Sequence, residues 1–168
     1  YFAQFDNVDV NGYAGGLGIY KSIDKRLYDA IPSSDYRKSV FQASNNAAPY
    51  SLPKYANTKF RDQSAGNGGD YVYLRSSEMF YIEAEALARL SKESQAIDLL
   101  KSITLLRNPS YTVNLSGSNL INEILLQKRI ELWGEGCAWF DMKRLGVALE
   151  RNYIGSNHVI AAAKFDIP

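Results

Sequence analysis

Histidine and cysteine are almost absent from this chain. Its 168 residues include one of each, His158 and Cys137. A single cysteine cannot close an internal disulfide, and one set in an apolar run ordinarily serves packing. A Cys–His catalytic pair would need His158 beside Cys137, and nothing in the sequence places it there. No metal-ligand spacing is present, so neither a metal nor a cofactor is expected. Charge of one sign is lacking too. The net charge is +1, which removes the electrostatic case for nucleic acid or an anionic membrane surface as partner. No run of about 18 apolar residues exists, so no segment reads as a membrane-spanning helix.

What is present suits a globular chain. Hydrophobic residues make up 46% and charged residues 22%, and the length is enough to bury a core without staples. The chain begins at Tyr1 with no signal-like segment and ends abruptly at "KFDIP". We read it as a piece of one larger domain, with any targeting peptide or lipid-attachment cysteine upstream.

The composition changes near residue 70. Residues 1–70 are rich in Gly, Asn and aromatics, carry Pro32, Pro49 and Pro53, and show no helical period. Short strands and long irregular loops are expected there. Aromatic-rich loops on a scaffold are common binding surfaces. The tyrosines could equally pack those loops onto helices. Residues 71–168 read as helical. "SSEMFYIEAEALARL" offers Met79, Phe80, Ile82, Ala86, Leu87 and Leu90 as a broad apolar stripe, with Ser76 or Ser77 as cap. "QAIDLLKSITLLR" places Ala96, Leu99, Leu100, Ile103 and Leu106 on one side. The short "SKES" break makes the two an antiparallel hairpin of tetratricopeptide type, with small Ala84 and Ala86 for close approach. One such unit cannot bury its own face, so a third helix or neighbours outside the chain must cover it. That third helix is expected from about Leu120, with Ile121, Ile124, Leu125 and Leu132 in period, ending near Gly134–Gly136. A short fourth follows in "AWFDMKRLG", stopped by Gly146.

Chemistry concentrates in "IELWGEGCAWFDMKRLG", residues 130–146, where Glu131, Glu135 and Asp141 lie among Trp133, Trp139 and Phe140. A glycoside hydrolase needs two carboxylates about 5–10 Å apart on one cleft. On a continuous helix, Glu135 and Asp141 would point about 240° apart, although Gly136 can break that helix. Nearby Lys128, Arg129 and Arg144 would lower carboxyl pKa values and make poor general acids. Structural ion pairing fits better. Glu131 can pair with Lys128 and Asp141 with Arg144, each at i, i+3, or they can reach Arg75 or Arg89 on the hairpin. Aromatic neighbours would shield such pairs from water.

The same residues carry a family resemblance. "LRSSEMFYIEAEALARL" resembles the "LR-x-x-E-M-Y-L-x-x-A-E-A" hairpin of the SusD/RagB family through Leu74, Arg75, Glu78, Met79, Ala84, Glu85 and Ala86. "ILLQKRIELWGEGCAWFDMKRLG" resembles its "E-R-x-x-E-L-x-x-E-G-x-R-W-x-D-L-x-R" signature through Glu131, Leu132, Glu135, Gly136, Trp139, Asp141, Met142 and Arg144. "SSDYRKS" is similar to a "D-x-R" element, and "KFDIP" to a terminal "F-x-I-P". The resemblance covers roughly residues 30–168 and is specific over 74–146. It departs at Gln127 and Ala138, where glutamate and arginine are common, and Arg129 is one position off register. These departures bear on one intramolecular ion pair.

The resemblance implies a mainly α, SusD-like fold, with a tetratricopeptide-type hairpin and further helices below long loops. It implies a non-catalytic lipoprotein on the outer surface of the outer membrane of Bacteroidetes. Such a protein binds glycan and delivers it to a SusC-like TonB-dependent transporter, with membrane attachment only through a lipid anchor outside this chain. A helical-repeat scaffold for a protein partner and a glycoside hydrolase are the alternatives. Under the glycan reading, Arg75, Glu78, Glu131, Glu135, Asp141 and Arg144 form a structural ion-pair motif. Ligand contacts are expected instead from Phe2, Asn11, Tyr13, Tyr20 and Tyr36, whose aromatic faces and amide suit a pyranose. These five rest on side-chain chemistry alone.

Overall fold

A computed structural model describes residues 22–45, 52–60 and 73–148. Within them lie five α-helices: α1 (Lys25–Ala30), α2 (Ser76–Arg89), α3 (Glu93–Thr104), α4 (Gly117–Glu131) and α5 (Cys137–Leu145). A 3-10 helix spans Tyr36–Val40. Extended pairing among the described residues includes two isolated antiparallel bridges, Ser22 with Ala56 and Phe41 with Asn57.

The hairpin of α2 and α3 packs with α4 around Tyr81, Ala84, Ala88, Ala96, Leu100, Ile103, Leu120 and Ile124. The turn between α2 and α3 closes when the Lys92 N–H donates to the Leu87 carbonyl at 2.9 Å, with Ser91 at φ 60°. That bond satisfies a carbonyl the helix end would otherwise orphan.

The face of α2 that turns inward differs from the expected stripe. Tyr81, Ala84 and Ala88, with Ser77 and Glu85, are buried, whereas Met79, Phe80, Ile82, Ala86 and Leu90 are exposed. The helix is apolar on two sides, and periodicity alone cannot say which side meets the core. Ala84 and Ala88 decide it, because they admit α3 and α4 close to the backbone, whereas Ala86, expected at the close approach with Ala84, faces outward. Leu106, past the end of α3, is likewise exposed.

The expected serine cap is absent as well. Arg75 occupies the capping position in extended conformation, and no side chain bonds the first free N–H groups. The guanidinium of Arg75 is drawn away to the carboxylates described below, and Ser76 and Ser77 fall inside the first turn. Glu78 still places negative charge at this positive helix end.

A second core joins the N-terminal segment to α4 through Ile23, Leu27, Ile31, Phe41 and Ile130. Asp24 begins α1 by accepting the Arg26 N–H at 2.8 Å. Asp35 begins the 3-10 helix in the same way, from the Arg37 N–H at 2.9 Å. The turn after α4 uses Gly134 and Gly136, at φ 79° and 86°, and Gly146 at 64° ends α5. Gly134 does more than turn. A Cβ there would lie 2.5 Å from Cε2 of Phe60 and 2.9 Å from its Cζ. Phe60 is stacked on Trp133, with ring centroids 6.3 Å apart, and Trp133 meets Phe41 edge-on at 5.1 Å. Gly134→Ala is therefore expected to lower stability by about 1–3 kcal/mol, from the overlap together with the left-handed backbone. A urea titration of the chain would register it; an unchanged midpoint would mean that Phe60 yields freely.

Candidate functional site

Glu131 ends α4 with its side chain 2% exposed. Three arginines from distant segments converge on it. Arg75 Nη2 donates to Oε1 at 2.5 Å. Arg107 donates from Nη2 to Oε1 at 3.1 Å and from Nε to Oε2 at 3.2 Å. Arg37 Nη1 stands 3.5 Å from Oε2. Four residues on, Glu135 accepts from Lys59 Nζ at 2.5 Å and from Arg75 Nη1 at 2.7 Å.

Lys59 and Arg75 also cap the helix. Lys59 donates to the carbonyls of Glu131 and Trp133 at 2.8 and 2.9 Å, and Arg75 to that of Glu131 at 3.1 Å. Cations at the carbonyl end complement the helix dipole. The 3-10 segment is tied in through Arg37. Its Nη2 donates to Asp35 at 2.6 Å and to Gln127 Oε1 at 2.5 Å. Gln127 passes the chain of bonds to Glu123, which also accepts from Tyr111. Thus Gln127, where the resembled signature commonly has glutamate, still joins the network through a neutral amide.

A second cluster holds α5 to α2 and α4. Glu85 accepts from Arg144 at 2.5 and 2.8 Å and from Arg89 at 2.7 Å. Asp141 accepts from Arg144 and from Lys128, both at 2.9 Å. The i, i+3 pairing of Asp141 with Arg144 is present. The expected pairing of Glu131 with Lys128 is not: Lys128 turns to Asp141, and Glu131 takes the alternative across to Arg75. Glu78 lies against the Cys137 thiol. Burial, then the charge of Glu78, pushes that thiol up to about 11, which makes it a poor nucleophile near neutral pH.

The electrostatics oppose acid–base catalysis at Glu131. Burial alone would raise its pKa. Arg107, with Arg75 and Arg37, more than offsets that and holds the carboxyl below the ordinary range. Burial likewise opposes ionisation of Glu85, and Arg144 and Arg89 outweigh it. A carboxylate held ionised in this way has no proton to give at neutral pH. Among the described residues no group of His, Cys, Asp and Glu side chains could hold a metal ion.

These shifts set a pH dependence. A folded-state pKa below the unfolded one contributes stability that is fully present above the unfolded value, about 4.3 for glutamate. That contribution is lost as pH falls through the folded value. Urea midpoints are therefore expected to hold from neutral pH down to about 5 and then to fall steeply, more so than in Glu131→Gln, which lacks the main titrating group. Parallel profiles for the two proteins would remove Glu131 as the cause.

Of the five candidate ligand residues, Phe2, Asn11, Tyr13 and Tyr20 lie outside the described residues. Tyr36 opens the 3-10 helix. Its N–H donates to the Arg107 carbonyl at 2.9 Å, and the residue is 64% exposed. It therefore stands beside the charge network without joining it. Sequence reasoning matched Glu85 to the family hairpin without placing it in an ion pair, and did not single out Arg37, Lys59 or Arg107. Arg37 carried a signal, the Asp-x-Arg of "SSDYRKS". Lys59 carried none, lying 76 residues from Glu135 along the chain.

Residues 7–164 match the family model described as the SusD family, SusD_RagB. SusD-like protein P38 of Formosa agariphila is 28% identical over 88 residues, covering 47% of this chain and 18% of that protein. A SusD-like carbohydrate binding protein of Bacteroides vulgatus, known from its crystal structure, is 31% identical. It superposes with a TM-score of 0.65 over 78% of this chain and 29% of its own. A SusD homolog from Bacteroides thetaiotaomicron is 30% identical, with a TM-score of 0.60 over 76% of this chain and 30% of its own. The chain thus spans less than a third of the length of each of these relatives. With the family model matched over most of its length, and with a mainly helical fold shared with SusD homologues, this chain belongs to the SusD family.

Proposed function

We propose that this chain is part of a non-catalytic glycan-binding protein at the bacterial cell surface. It would be lipid-anchored to the outer face of the outer membrane and deliver its glycan to a SusC-like TonB-dependent transporter. The observation that carries this is the family match over residues 7–164, together with a relative described as carbohydrate binding. The charge network supports the non-catalytic part, since its carboxylates are engaged by cations on several sides. In this reading, residues 71–168 are the helical scaffold and residues 1–70 hold the ligand-facing part. Phe2, Asn11, Tyr13, Tyr20 and Tyr36 supply the aromatic faces and an amide for the sugar.

A panel of polysaccharides, titrated calorimetrically against the chain and against any longer protein that contains it, tests this reading. Reducing ends are assayed in parallel. Saturable binding to one polysaccharide class without new reducing ends is the expected result. Tyr36→Ala should then weaken binding by about tenfold, the value of one aromatic contact, and leave the melting temperature unchanged because the ring is exposed. No binding across the panel would turn the assignment toward a protein-binding helical scaffold. Released reducing ends would overturn the non-catalytic assignment.

A further inference from the structure

Helix α2 is apolar on two opposite sides. Its inward side, Tyr81, Ala84 and Ala88, packs against α3 and α4. At about 100° per residue, Met79, Ile82, Ala86 and Leu90 fall in one stripe on the other side. Met79 is 53% exposed, Ile82 45% and Leu90 67%, and Ala86 is exposed between them. The outward side of α3 is different in kind. There Ser94, Gln95, Asp98 and Ser102 face solvent, as on an ordinary surface helix. A helix with apolar side chains all round belongs in an interior, and a contiguous exposed apolar strip marks a contact surface.

We propose that the stripe of Met79, Ile82, Ala86 and Leu90 is the docking face for a further amphipathic helix, contributed by the part of a longer protein that lies outside this chain. Three observations select that occupant. The chain superposes on only 29% and 30% of the two solved SusD-like chains, so a protein of their length has ample chain to supply such a helix. Stacked helical hairpins meet a neighbour on each side, and α4 covers only the inward side of this one. Ala86 sits in the middle of the stripe, as Ala84 and Ala88 do on the inward side, and a small residue there lets a second helix come close. A sugar is poorly served, because these aliphatic side chains offer neither a ring face nor a partner for hydroxyls. The interface is independent of glycan binding, and a protein that bound no polysaccharide would still carry it.

Two variants, each made in this chain alone and in the longer protein that contains it, test the assignment. Ile82→Cys in a Cys137→Ala background carries one thiol, and its labelling by a maleimide reads out cover. Labelling should run at the rate of an exposed thiol in the chain alone and at least about tenfold slower in the longer protein. Ala86→Leu should leave the melting temperature of the chain alone unchanged, because leucine keeps the helix and points to solvent. In the longer protein it should lower the melting temperature by a few degrees, through overpacking against the docked helix. Equal labelling in the two proteins, with Ala86→Leu neutral in both, would overturn the proposal. So would a thiol already slow in the chain alone, which would put the chain's own residues or a second copy over the stripe. Protection that appears only on adding polysaccharide would overturn it too, as would a natural protein no longer than this chain whose stripe stays open.

Discussion

Glu131→Gln is expected to destabilise the chain by about 3–5 kcal/mol, lowering its melting temperature by about 6–20 °C. The carboxylate is closed off from water and faces Arg75, Arg107 and Arg37. Desolvating these groups already costs free energy, and charge pairing offsets that cost. An amide of the same shape removes the anion and leaves buried cations with a weaker acceptor. Arg75 and Lys59 still have Glu135, so the collapse is partial. Thermal melts followed by circular dichroism would measure the loss. Lys25→Met serves as control: its pair with Asp29 lies at the surface and is screened by solvent, so the melt should not move. Combining Glu131→Gln with Arg75→Met should cost less than the sum of the two, because the second change removes a cation that the first leaves uncompensated. Strict additivity, or a loss under about 1 kcal/mol, would mean that the network is solvated and does not hold α4 in place.

Ile124→Ala, expected to cost about 2–5 kcal/mol, tests a different interaction. Ile124 is 0% exposed and sits on α4, one turn from Leu120, against Tyr81 and Leu100 of the hairpin. Three helices meet there, so the space left by the missing methyl groups cannot be closed without moving one helix against the other two. The loss is the transfer free energy of the buried groups plus the cavity term. Urea unfolding would report it. A small change with an unaltered slope would mean that the helices can close the gap. Unlike the loss at Glu131, this one should persist at acid pH, since no titrating group is involved. The two effects together distinguish apolar packing in the hairpin core from charge pairing at the end of α4.

Much of the helical part was legible in the sequence. The hairpin, the third helix and the short fourth helix ended by Gly146 follow from hydrophobic period and from glycine at helix ends, both properties of neighbouring residues. The third helix ends at Glu131, a few residues before the glycines expected to stop it. Lys59 and Arg75 cap its carbonyls at that point, and no local pattern announces them. Asp141 with Arg144 was legible for the same reason as the helices, being a contact within one turn. The exposed side of α2 was not, because Met79, Ile82 and Leu90 have the period of a core face as fully as Tyr81, Ala84 and Ala88 do.

The sequence by itself determined where the helices lie and which carboxylates and arginines this chain has to pair, and its motifs pointed to the SusD family. Only the tertiary structure decided the pairing. Glu131 meets Arg107, Arg75 and Arg37 across 24, 56 and 94 residues of chain. Lys128, three residues from Glu131, goes instead to Asp141 on the next helix. The reason is physical. A local i, i+3 pair on a helix surface gains a few tenths of a kcal/mol, roughly, in water. A buried carboxylate must be matched by every cation the fold can bring to it, and which cations those are depends on how the helices pack.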